Sequence, residues 1–180
     1  VDVAFSALPS GASAEVIAPL IASGVKAVDI AADFRLHDPA SFKSAYNTDH
    51  PAPHLLENAI FGLPEIHREG IKQTNLVANP GCYPTAAILA MAPAVRERII
   101  ADDVIVDAKS GISGAGRGGL ATNIMDHFAE ANENVVAYGL DGHGHLPEIV
   151  QELAELREAT SARVTFIPHR IPMTRGILAT

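Results

Sequence analysis

The chain is 180 residues long, 48% hydrophobic and 19% charged, with 13 Lys and Arg against 21 Asp and Glu for a net charge of −8. Such a composition can bury a substantial core as one domain or parts of two, which excludes disorder, and 14 Gly with 12 Pro exclude a collagen-like or low-complexity chain. The acidic balance argues against a general nucleic-acid binder, no apolar run approaches the roughly 20 residues of a membrane span, and no signal segment opens the chain, so a cytoplasmic protein with neither kind of partner is expected.

The apolar run from residue 1 to 8 reads as a buried strand, closed by the turn Pro9-Ser10-Gly11. Ser13 is placed to cap a helix through about residue 23, in which Val16, Ile17, Leu20 and Ile21 repeat at helical spacing and which Gly24 closes. A second strand follows at 25–30, and strand, helix, strand in some thirty residues is a βαβ unit with parallel strands. Residues 33–74 read as irregular, with short helical turns near 41–45 and 64–68; a loop of that length is usually functional or contacts something. A short strand at 75–78 leads through Asn79-Pro80-Gly81 into a helix from Cys82 to about residue 100, which Pro93 can kink. Then come a strand at 103–108, a glycine-rich loop at 110–119, a helix at 120–131, an extended segment at 135–138, a helix at 147–157 with Pro147 in its first turn, and a last strand at 162–167. No internal repeat is present, and the topology puts a domain boundary near residue 100.

Cys82 is the only cysteine, which excludes an internal disulfide and any multi-cysteine metal site. A lone cysteine is most often a packed small hydrophobe. This one follows a strand and a tight turn and opens a helix, where free N–H groups and the positive end of the helix dipole favour a thiolate and can stabilise an oxyanion. A thiolate nucleophile needs a proton carrier, and His143 and His145 of Gly142-His143-Gly144-His145-Leu146-Pro147-Glu148 are the candidates. The spacing alone leaves three readings open: a polar loop, an acid–base pair, or metal ligands together with Glu148. We expect no metal, and favour His143 as proton carrier because it precedes a glycine that lets the backbone approach closely.

Gly114, Gly116 and Gly119 match a G-x-G-x-x-G dinucleotide pattern, with Asp141 downstream. Residues Lys109–Ser113 intervene between strand and turn, however, and Arg117 stands inside the loop. A loop that cradles phosphate or carboxylate, with Lys109, Arg117 and backbone N–H groups as donors, fits better; a plain flexible connector stays open. Near the end, Arg170 and Arg175 stand among prolines in a rigid basic segment that suits an anionic substrate or, equally, a solvated surface.

Four strings, in order, resemble the N-acetyl-γ-glutamyl-phosphate reductase family of arginine biosynthesis. They are Asn79-Pro80-Gly81-Cys82-Tyr83-Pro84-Thr85, Ser110-Gly111-Ile112-Ser113-Gly114-Ala115-Gly116-Arg117, His143-Gly144-His145-Leu146-Pro147-Glu148-Ile149 and Pro172-Met173-Thr174-Arg175-Gly176. Ala7-Leu8-Pro9-Ser10-Gly11 and Ala32-Asp33-Phe34-Arg35-Leu36 extend the likeness to essentially the whole chain. The resemblance implies an α/β plus α+β architecture. Residues 1–100 would be part of an NADP-binding Rossmann-type parallel sheet, and residues 101–180 part of a glyceraldehyde-phosphate-dehydrogenase-like catalytic domain.

It also implies Cys82 as nucleophile, with the pair His143 and His145 for acid–base work. Substrate contacts would fall to Lys109, Ser110, Ser113, Arg117, Arg170 and Arg175, and cofactor contacts to Pro9, Ser10, Gly11, Gly114 and Gly116. Ser10 stands where the family often has His, and Ala31 where Ser is expected, both on the cofactor side. Family members open with a glycine-rich pyrophosphate turn and continue past Thr180, so an internal fragment of a homo-oligomeric enzyme is expected.

The implied reaction is NADPH-dependent reduction of an acyl phosphate to the semialdehyde through a Cys82 thioester, with a histidine carrying the proton for thiohemiacetal collapse. The alternatives are a sister reductase acting on a carrier-linked aminoadipyl phosphate in lysine biosynthesis, a Cys/His hydrolase that needs no NADPH, and a non-catalytic fragment unable to hold cofactor.

Overall fold

A computed structural model describes residues 1–101, 103–116 and 127–180. The chain forms two compact units, Val1–Gly81 and Cys82–Thr180. The division therefore falls before the Cys82 helix rather than near residue 100. The reason lies in that helix's apolar face: Tyr83, Ala87 and Val95 are core residues of the second unit.

The first unit is a parallel four-stranded sheet in the order β1-β2-β4-β3. Its strands are β1 (Val3–Ser6), β2 (Lys26–Asp29), β3 (Ile60–Phe61) and β4 (Leu76–Ala78). Helix α1 (Ala12–Ala22) joins β1 to β2 as the expected βαβ unit and buries Ala14 and Ile17 against Ala27, Phe34, Leu76 and Ala78. It ends as its glycine demands: Gly24 has φ +85°, its N–H reaches Ile21 O, and the N–H of Val25 reaches Leu20 O. Its start differs from the expectation. Gly11, not Ser13, is the N-cap, and Ser13 lies buried inside the first turn.

In the segment expected to be irregular, the helical turns expected near 41–45 and 64–68 are parts of longer helices. Helix α2 (Pro39–Tyr46) is capped by Asp38, whose carboxylate accepts the N–H groups of Ala40 and Ser41. A 3₁₀ turn (Pro53–Asn58), β3 and helix α3 (Pro64–Gln73) follow. Each of these three helical pieces has proline in its first turn, where the missing N–H costs nothing.

The second unit is a mixed sheet in the order β6-β7-β5-β8, with β5 (Asp103–Ser110) and β7 (Arg163–Arg170) parallel along eight paired residues. β6 (Val136–Ala137) and β8 (Ile177–Ala179) run antiparallel on the flanks. Helices α4 (Cys82–Arg96) and α6 (His145–Leu156) pack against each other. Ile149 and Leu153 of α6 share with α4 the core over Val106, Ala108 and Phe166. The short α5 (Phe128–Ala131) starts after an extended His127; residues 120–126 of the helix expected at 120–131 lie outside the described residues. Helix α4 stops at Arg96, short of residue 100: Arg98 takes a left-handed φ of 53° and the N–H of Ile99 closes on Ala94 O. Among the described residues no helix is long and apolar enough to cross a membrane.

Candidate active site

The parallel register of β5 and β7 sets Ser110 directly beside Arg170 at the carboxyl ends of both strands, and the N–H of Ile171 donates to Ser110 O. The first residue of α4 is Cys82 and the first of α6 is His145. All four line one cavity of about 260 Å³, together with Tyr83, Tyr138, His143 and the loop residues Gly111, Ile112, Gly114 and Ala115. Two helix N-termini, a guanidinium and a hydroxyl thus face a common space. Each helix end adds roughly half a positive charge there, which is a setting for an anionic ligand.

Cys82 is exposed, so its sulfur is open to a reactant rather than packed away. His143 is enclosed by rings: Tyr83 at 5.8 Å, Tyr138 at 5.6 Å, Phe166 at 5.4 Å and His145 at 4.7 Å between centroids. Burial first, and the Arg170 charge second, hold its imidazole below the usual histidine range. Its Nδ1 accepts the backbone N–H of His145 at 3.1 Å, so a neutral His143 carries its proton on Nε2. His145 sits otherwise. The carboxyl of Glu148, fully buried one turn along α6, lies 4.0 Å from His145 Nε2 as an ionic partner for an imidazolium. Glu148 is thus a first-turn carboxylate that is buried rather than solvated.

Tyr83 and Tyr138 were not singled out by the sequence. Their hydroxyls lie 2.9 Å apart, Tyr83 also donates to His169 O at 3.4 Å, and the Arg170 guanidinium rests 4.0 Å over the Tyr138 ring. Burial pushes both phenols up, so both stay protonated. Tyr83 stands beside Cys82 in a quoted motif, which is a signal that was available; Tyr138 read as no more than the end of an extended segment.

Other expected residues fall elsewhere. Lys109 follows from strand alternation: with Ser110 facing the cavity, its neighbour on β5 must face the opposite side. There Lys109 is bonded to Asp107, whose carboxyl is held below the usual range chiefly by that bond, and His169 Nδ1 lies 3.1 Å from the same carboxyl group. Ser113 binds through its backbone N–H to Thr174 O, and Arg175 is exposed; neither lines the cavity. Gly114 does line it, while Gly116, with φ +67°, does not. Arg117 lies outside the described residues.

The motifs around residues 110–116 and 172–176 meet through three backbone bonds, from Gly111 N–H to Gly176 O, Ile112 N–H to Met173 O and Ser113 N–H to Thr174 O. Gly111 allows this approach: a Cβ there would stand 2.7 Å from Arg175 N and 2.8 Å from Met173 O, both backbone atoms that cannot swing aside. Gly111→Ala is expected to cost about 2 kcal/mol or more of stability by overpacking, read as a lowered urea midpoint. An unchanged midpoint would show that the two segments separate freely.

In the first unit Pro9 and Ser10 are exposed at the carboxyl end of β1, and Gly11, with φ +89°, opens α1. As N-cap, Gly11 offers no side chain of its own to the first turn of α1. A helix N-terminus at the carboxyl ends of parallel strands fits a nicotinamide cofactor in the way open α/β sheets hold such ligands.

Comparison with known proteins bears on these observations. The sequence profile of the semialdehyde dehydrogenase NAD binding domain matches residues 1–74, and that of the semialdehyde dehydrogenase dimerisation domain matches residues 82–180. The chain is 51% identical over 179 residues to an N-acetyl-gamma-glutamyl-phosphate reductase of Dehalococcoides mccartyi, matching 99% of this chain and 52% of the relative. It is 48% identical over 180 residues to the reductase of that name from Halorhodospira halophila, with 99% and 51% covered. The chain thus spans about half the length of the curated relatives it matches. Among solved structures, aspartate semialdehyde dehydrogenase II from Vibrio cholerae superposes with a TM-score of 0.65 at 18% identity, covering 98% of this chain and 53% of that one. The Candida albicans aspartate semialdehyde dehydrogenase with NADP gives 0.59 at 14%, with 98% and 48% covered. At these identities the likeness establishes the fold.

Proposed function

This chain belongs to the semialdehyde dehydrogenase family, and on that premise we propose that it serves the NADPH-dependent reduction of N-acetyl-γ-glutamyl phosphate to the semialdehyde. The observation that carries the reading is the convergence of Cys82, the histidine pair, Ser110 and Arg170 on one cavity under two helix N-termini. That arrangement offers a nucleophile, a proton carrier and positive charge to an anionic acyl donor.

Cys82 Sγ attacks the acyl carbon, the bond from that carbon to the phosphate oxygen breaks, and phosphate leaves with the electron pair, so that the acyl group is held as a thioester. The N–H groups at the start of α4 stabilise the oxyanion formed on the way. Arg170, held flat by Tyr138, and Ser110 bind the anionic parts of the substrate. A nicotinamide cofactor, held by the Pro9-Ser10-Gly11 turn and the start of α1, supplies a hydride when bound. His145 then moves the proton at the carbonyl-derived oxygen as the carbon–sulfur bond breaks and Sγ leaves as thiolate. His143, neutral and locked by its Nδ1 bond, shapes the pocket instead. This reverses the order that spacing alone favoured. The protein works in the cytoplasm as a homo-oligomer, the match to a dimerisation domain supporting the second point.

The test is acylation without reduction. Incubated with N-acetyl-γ-glutamyl phosphate and no cofactor, the complete protein is expected to gain one acyl mass on the Cys82 peptide, and to lose it as aldehyde when NADPH is added. Release of free acid with no dependence on NADPH would instead mark a hydrolase. Faster acylation by a carrier-linked aminoadipyl phosphate would move the substrate to the lysine pathway.

A further inference from the structure

The Ala32-Asp33-Phe34-Arg35 string plays no part in the chemistry above, yet it surrounds two buried carboxylates. Asp29 and Asp33 are both fully buried, a placement that costs several kcal/mol unless hydrogen bonds compensate. What they accept is the start of α1. Asp33 Oδ1 takes the Gly11 N–H at 2.5 Å, and Asp29 Oδ1 takes the Ser13 hydroxyl at 2.5 Å and the Ala31 N–H at 3.1 Å. The Ser13 hydroxyl also lies 2.7 Å from that of Ser6 at the end of β1.

The segment that carries Asp33 is itself anchored. Arg35 donates to Ile30 O at 2.9 Å and to Asn79 O at 2.8 Å. His50 holds the Asp33 carbonyl: its Nδ1 accepts the Ala52 N–H at 2.9 Å, which leaves the proton on Nε2 to donate to Asp33 O at 2.9 Å. Ala32 N–H adds a longer bond, 3.4 Å, to the Ser10 hydroxyl. The turn at residues 8–11, exposed through Ser10, is therefore shaped from below by the Asp33 carboxyl group, and Gly11 is held at φ +89° by the bond its N–H makes.

We propose that Asp33 is a positioning residue for the nicotinamide cofactor, fixing the Pro9-Ser10-Gly11 turn and the start of α1 in the shape that receives it. The proposal rests on the cofactor reading given above. Asp33 itself, at zero exposure, acts through Gly11.

Equilibrium titration of the complete protein with NADPH, followed by nicotinamide fluorescence, tests this. Asp33→Ala is expected to raise Kd by about tenfold, the loss of one buried hydrogen bond, while kcat at saturating NADPH changes less than Kd does. Asp33→Asn keeps an acceptor oxygen for the Gly11 N–H and is expected to recover most of the affinity. Should Asp33→Ala fold poorly, Gly11→Ala reports on the same turn. Its added Cβ meets nothing within 4 Å, so any rise in Kd comes from the left-handed backbone alone. Unaltered Kd in Asp33→Ala, or in Gly11→Ala where that variant is the one measured, would overturn the inference; so would equal loss in Asp33→Ala and Asp33→Asn. A parent protein that does not bind NADPH would overturn the cofactor reading and this inference with it.

Discussion

Cys82→Ser is expected to lower reductase turnover of the complete protein by a factor on the order of 10⁴ or more, the scale seen when a covalent nucleophile is lost. The serine hydroxyl sits at the same helix N-terminus, but its proton is too tightly held for that field to ionise it, so no acyl-enzyme forms. Thermal stability is expected to stay near the parent's, because the Cys82 side chain is exposed and supports no core packing. Alkylation of the parent at neutral pH should be fast at this one thiol and slowed by acyl phosphate. Parent-like turnover in the serine variant would sink the covalent mechanism and leave the cavity as a binding site only.

The second large effect separates the two histidines. His145→Asn is expected to reduce turnover by roughly 10²–10⁴, the range for a positioned acid or base. His143→Asn should cost distinctly less. Burial and Arg170 both disfavour the charged form of His143, and its Nδ1 is occupied by the His145 N–H, so it is poorly placed to take up a proton. His145, with the Glu148 carboxyl 4.0 Å away, has a partner for the charge it would acquire. The pH profile reads the same distinction: removing His143 should leave its shape intact, and removing His145 should erase one limb. The opposite ranking would return the proton to His143. A chelator is expected to leave turnover unchanged; loss restored by added zinc would make the pair metal ligands.

Much of this was legible in the linear sequence because it is local. The βαβ start, the Asn79-Pro80-Gly81 turn into the Cys82 helix and the closure of α1 at Gly24 each depend on residues within a few positions of one another. Where local chemistry gives no sign, the reading slipped. α4 stops at Arg96 because Arg98, two residues on, takes a left-handed conformation that glycine normally announces, and no residue type there marks the stop. α2 and α3, by contrast, carry Pro39 and Pro64 at their first turns, and short helical turns were legible there near 41–45 and 64–68; only their full length was not.

The sequence by itself determined which residues could do chemistry: one thiol, a histidine pair two apart, and arginines near the chain's end. It could not determine which of them meet. Lys109 and Ser110 are neighbours with opposite fates because a β-strand sends alternate side chains to opposite faces, and only the pairing of β5 with β7 decides which face is the cavity. Ser13 had the makings of a helix cap until Asp29, sixteen residues on, offered its hydroxyl a buried carboxylate. Tyr138 became part of the site because Arg170 lies over its ring and Tyr83 bonds its hydroxyl, contacts between residues 32 and 55 positions apart in the chain. Residue type and short-range spacing set what each group can do. Strand register and helix packing, which join distant segments, decide what it does it to.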